Sequence, residues 1–151
     1  MSGPALLDVN LLVALFDPDH VHHELAHDWF ADHASGGWAT CPVTENGFVR
    51  VIGNPAYGTP GVRASELVRR LAEFCRSRDH VFWPDAISLR DASLFKPGAI
   101  GGHRHVTDVY LLGLATTMKG RLVTFDRSIP LTAVAGAKGS NLEVVSAVDR
   151  P

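Results

Sequence analysis

Five short apolar runs, at residues 5–9, 38–41, 80–83, 121–125 and 142–145, recur along the chain with helical stretches between them. Runs of this length and apolarity read as strands buried on both faces of a sheet. Helices are expected at residues 10–16, with Asn10 as the cap, and at 19–34, where Val21, Leu25 and Trp29 stand four apart. Further helices are expected at 43–52, 64–78, 87–95 and 106–118, and Leu67, Leu71 and Phe74 put one apolar stripe on the fourth of these six. Strands alternating with helices imply an α/β fold, with a mostly parallel central sheet of about five strands flanked by helices. In such sheets a functional site lies beyond the carboxyl ends of the strands.

Against that rule, four acids stand out. Asp8 sits in the apolar stretch Leu6-Leu7-Asp8-Val9, and Asp126 ends Leu122-Val123-Thr124-Phe125-Asp126. A carboxylate in a buried run is costly unless something pairs with it. Glu45 and Asp108 open two of the expected helices, where an acid is common for dipole reasons alone. Taken together, two acids at strand ends and two at helix starts fall on one edge of the sheet. Like charges crowded there repel, and a hard divalent cation removes the conflict. Oxygen-only ligands suit Mg²⁺ or Mn²⁺, and a carboxylate-held cation at a sheet edge is suited to phosphoryl chemistry.

Length and composition permit this reading. The 151 residues are the size of one domain, so 1–151 reads as a single unit; 46% of them are hydrophobic, enough for a core. No apolar run is long enough to span a bilayer, and no charged segment followed by an apolar stretch opens the chain, so a soluble cytoplasmic protein is expected. The net charge of −2 argues at first against a nucleic-acid partner, but metal neutralising four of the 16 acids leaves 12 facing 14 basic residues. Cys41 and Cys75 form no CxxC spacing and read as small buried hydrophobes rather than a zinc site or a staple. Phe82, Trp83 and Trp38 read as core.

The ordered set Leu6-Leu7-Asp8-Val9-Asn10, Val43-Thr44-Glu45-Asn46-Gly47-Phe48, His105-Val106-Thr107-Asp108-Val109-Tyr110 and Leu122-Val123-Thr124-Phe125-Asp126 resembles the PIN-domain family, specifically the VapC-type toxins of toxin–antitoxin pairs. The resemblance runs over nearly the whole chain. It implies a PIN-like three-layer sandwich and a Mg²⁺- or Mn²⁺-dependent endoribonuclease, usually a homodimer, inhibited by a cognate VapB-type antitoxin. Asp8, Glu45 and Asp108 match the family's core acids and Asp126 the fourth; Asn10 and Thr124 match supporting positions, Thr124 beside the metal's water. The substrate would be RNA in a single-stranded or loop region. Lys96, His103, Arg104 and His105 lead into Asp108 and could grip its phosphates.

Two other readings compete. A binding protein of the same fold would hold metal weakly, and the presence of both Asp8 and Asp108 weighs against it. His23-Glu24-Leu25-Ala26-His27 reads as H-E-x-x-H on a helix, the pattern of a zinc hydrolase. His23, Glu24 and His27 fall opposite Leu25, Ala26 and Trp29, toward solvent, and no third-ligand motif follows, so a solvated polar face is the expectation.

Overall fold

The computed structural model describes residues 3–58 and 62–147. It contains strands β1 (Ala5–Leu7), β2 (Trp38–Thr40), β3 (His80–Phe82), β4 (Arg121–Thr124) and β5 (Leu142–Val144). Helices α1 (Val9–Phe16) and α2 (His23–His33) lie between β1 and β2, and α3 (Pro42–Gly53) and α4 (Ala64–Phe74) between β2 and β3. Helix α5 (Val106–Thr117) precedes β4. The strands form one sheet in the order β3-β2-β1-β4-β5, and every pairing is parallel.

The side-chain alternation of a strand divides the core in two. Ala5 and Leu7 of β1 face a cluster built with Leu11, Leu12, Ala26, Trp29, Phe48, Leu67 and Leu71 from α1 to α4. Leu6, between them, points to the other face, where Leu111, Leu112, Leu114 and Ala115 of α5 pack with Phe95, Ile129 and Val134. Both faces are therefore covered, as a parallel sheet requires, and the sheet is the middle of three layers. The strand order reverses at β1, between β2 on one side and β4 on the other. This is the switch point at which open α/β sheets leave a crevice.

Several expectations are corrected. Asp8, not Asn10, caps α1: its carboxylate accepts the Val9 amide at 2.7 Å. Helix α2 starts only at His23, and Val21 stands 86% exposed outside it. Helix α4 stops at Phe74. Residues 87–95 form no helix. Ser88 and Asp91 there accept the amides of Arg90 and Ser93, local bonds that compete with helical ones. Phe82 is 49% exposed rather than core, because β3 is an edge strand; Trp38 and Trp83 are buried.

Candidate active site at the β1–β4 switch point

Parallel strands with a common direction bring their carboxyl ends to one edge, and three of the four acids meet there. Asp8 follows β1 directly, Asp126 lies two residues beyond β4, and Asp108 stands in the first turn of α5. Asp8 is 5% exposed. Burial pushes its carboxyl up, against hydrogen bonds from the Thr124 hydroxyl and the Val9 amide, and the Asp126 charge adds to the rise.

Thr124 is the hub of the arrangement. Its buried hydroxyl donates to Asp8 Oδ2 at 2.7 Å. The same oxygen accepts from Asn10 Nδ2 at 3.1 Å and from the Asp126 amide at 3.1 Å. Asn10 thus bonds Thr124 rather than capping α1, which is left to Asp8.

Asp108 and Asp126 are driven apart. Burial, the charges of Asp8 and Asp126, and a hydrogen bond with Asp126 push the Asp108 carboxyl up to about 7. Asp126 is held below the usual carboxylate range, chiefly by the Ser128 hydroxyl and amide, which donate to Oδ1 at 2.6 and 2.8 Å. Below about pH 7, Asp108 holds a proton and shares it with Asp126. Ser128 escaped the sequence reading; its signal is the Asp-x-Ser turn, Asp126-Arg127-Ser128.

Glu45 occupies the first turn of α3, after β2, but its carboxylate is engaged elsewhere. It accepts the Thr40 hydroxyl at 2.7 Å, and its charge acts on Cys75 and His80. Of the basic residues, Lys96, His103 and Arg104 are exposed. His105 is half-buried; its charge helps lower Asp126, and its Nδ1 is buried with no hydrogen-bond partner among the described residues.

The H-E-x-x-H histidines have a structural use. The ring nitrogens of His23 and His27 pair with the carbonyls of Ala14 and Leu15 at 2.7 and 2.8 Å. These carbonyls belong to the last turn of α1, which has no following turn to satisfy them. The motif's histidines therefore cap a helix and are not simply a solvated face. A groove of about 570 Å³ between α2 and β5 has none of the four acids in its lining.

The pattern of the PIN-domain family matches residues 5–135, and the chain belongs to that family. Its relatives include ribonuclease VapC44 of Mycobacterium tuberculosis, 46% identical over 138 residues that cover 91% of this chain and 96% of the relative. Ribonuclease VapC39 of the same organism is 43% identical over 132 residues, covering 87% and 95%. Ribonuclease VapC38, also of M. tuberculosis, is 44% identical over 125 residues, covering 83% and 86%. Within the PIN-domain family the chain falls in the VapC branch.

Proposed function

We propose that this chain is a divalent-cation-dependent endoribonuclease of the VapC type, the toxin of a toxin–antitoxin pair. The observation that carries the reading is the convergence of Asp8, Asp108 and Asp126, where burial and the neighbouring acids push the Asp108 carboxyl up to about 7. Relatives at up to 46% identity over nine-tenths of the chain bear the name ribonuclease. The donor set fits a hard cation: the three groups that meet offer carboxylate oxygens only, and their crowding is the conflict a divalent ion relieves. Mg²⁺ or Mn²⁺ is the cation we assign.

When bound, the cation neutralises phosphate charge, makes a water more acidic and steadies the leaving oxygen. The remaining work belongs to the chain. Asp8 and Asp126 would hold the cation, Asp8 fixed by Thr124 and the Val9 amide. Asp108 would join them as its carboxylate, its proton passing to solvent. Glu45 is the fourth acid, bonded to Thr40 in the conformation described. Lys96, His103, Arg104 and His105, on the segment entering α5, contact RNA phosphates. Water attacks the phosphorus of a single-stranded or looped RNA, the P–O bond to the leaving nucleotide breaks, and the leaving oxygen takes up a proton as the water loses one; no side chain becomes covalently attached.

The cognate partner is a VapB-type antitoxin, and the active form is a homodimer of single-domain 1–151 chains. Among the described residues no helix is long and apolar enough to cross a membrane, and we place the protein in the cytoplasm.

The test is incubation of the purified, antitoxin-free chain with cellular RNA in Mg²⁺ or Mn²⁺ and in EDTA, beside Asp8→Asn. Cleavage that needs the cation and is lost in Asp8→Asn is expected. Cleavage in EDTA, or undiminished in Asp8→Asn, overturns the assignment.

A further inference from the structure

Beside the carboxylate cluster lies a group of different chemistry. Glu45 in the first turn of α3, Cys75 at the C-terminal cap of α4 and His80 at the start of β3 bring a carboxylate oxygen, a thiol sulfur and a ring nitrogen within 4.8 Å of one another. Three separate elements supply them, and all three residues are half-buried, so a small ion can reach them. We propose that Glu45, Cys75 and His80 form a binding site for a thiophilic divalent cation, with Zn²⁺ the natural occupant.

Donor chemistry selects the ion. Sulfur, imidazole nitrogen and one carboxylate favour Zn²⁺ or Co²⁺, whereas Mg²⁺ prefers oxygen alone. On a tetrahedron with the usual zinc bond lengths, ligand atoms stand about 3.6 Å apart. Three protein ligands leave the fourth position for water.

The surroundings hold the donors in place. The Thr40 hydroxyl donates to Glu45 Oε2 at 2.7 Å and stands 2.8 Å from His80 Nε2. The hydroxyl has one proton for these two acceptors, and the ring's own N–H goes to the backbone of Cys75, so Nε2 keeps the lone pair that a metal ion takes. The His80 ring also hydrogen-bonds the backbone of Cys75, and the Trp38 ring packs against it at 4.6 Å. Metal-binding histidines are commonly oriented by such second contacts. Without a cation, Cys75 is a poor thiolate: burial and the Glu45 charge push its thiol up to about 11. A bound zinc ion reverses that balance, since a coordinating thiol is deprotonated outright.

The site shares Glu45 with the acids of the proposed nuclease centre, and its test is spectroscopic, so it does not depend on RNA cleavage. The tag-free full chain is titrated with Co²⁺. One equivalent is expected to give a sulfur-to-cobalt charge-transfer band in the near ultraviolet, displaced by Zn²⁺. Cys41→Ser leaves Cys75 as the sole thiol and should keep the band; Cys75→Ser should lose it, with circular dichroism confirming the fold. His80→Gln should weaken binding at least about tenfold, and Asp8→Asn should leave the band intact. Binding at the histidines of α2 gives no sulfur band. A titration without that band, or a band that is absent in Cys41→Ser and present in Cys75→Ser, overturns the proposal.

Discussion

The Thr124 hydroxyl donates to Asp8 and accepts from Asn10 and the Asp126 amide, so one side chain ties the ends of β1 and β4 together. Thr124→Val keeps the shape and removes all three bonds. Such supporting changes cost about 10- to 100-fold in metal affinity or activity, and a loss in that range is expected when RNA cleavage is titrated with Mn²⁺. An unchanged titration would deny Thr124 its positioning role. Asp108 supplies a pH signature. Its carboxyl is raised from 3.8 to about 7, so between these values the folded protein holds a proton that the unfolded chain releases. Stability from this group is complete at the acid end and is lost as pH rises through about 7. Thermal melts in EDTA should show wild-type Tm falling relative to Asp108→Asn across that window. Mg²⁺ binds the ionised form, so its stabilisation of the wild type should grow over the same window. A wild-type Tm that rises relative to Asp108→Asn in EDTA would contradict the coupling. Asp8 was legible in the sequence because a carboxylate inside Leu6-Leu7-Asp8-Val9 has no cheap resting place. Ser128 and the rotamer of Glu45 were not, because both depend on which hydroxyl lies nearby in space.

At the scale of elements, α5 carries Asp108 and must lie flat on the sheet and on the segment at Phe95. Gly113 permits this. A Cβ built there would meet the Phe95 ring, with Cε1 at 2.5 Å, and Phe95 is 1% exposed with nowhere to turn. Gly113→Ala gains up to about 1 kcal/mol in helix propensity, but overpacking costs about 1–3 kcal/mol. The collision is expected to win, lowering Tm in a melting experiment; a Tm raised by the substitution would show that the contact yields freely. Strands and long helices were readable from periodicity alone, since burial on both faces leaves continuous apolar runs. The stretch 87–95 was not. Its apolar residues Ile87, Leu89, Leu94 and Phe95 pack against α5 from an irregular segment, and Ser and Asp bonds to nearby amides replace helical ones. The H-E-x-x-H stretch read as a solvated face, and its further use was hidden for a related reason: His23 and His27 complete the end of a different helix, α1, a contact that spacing within α2 cannot reveal.

For the whole molecule, the formal charge of −2 conceals an uneven distribution. The acids converge at the switch point, and the exposed Lys96, His103 and Arg104 flank the helix that bears Asp108. Without a cation the cluster repels phosphate; with one, the same edge attracts it. Fluorescence anisotropy with single-stranded RNA should therefore show weak binding in EDTA and tighter binding in Ca²⁺, an ion chosen to occupy the acids. Equal binding in both would place the RNA elsewhere on the surface. The most direct test of the account is the initial rate of single-stranded RNA cleavage across a Mn²⁺ titration, for the wild type and for Asp8→Asn, Asp108→Asn and Asp126→Asn. The rate is expected to depend on Mn²⁺ and to fall at least about a hundredfold in Asp8→Asn and Asp108→Asn, beyond what a supporting residue alone costs, with Asp126→Asn weakening the Mn²⁺ dependence. Full activity in Asp8→Asn and Asp108→Asn would contradict it, because the cation would then be held by other groups.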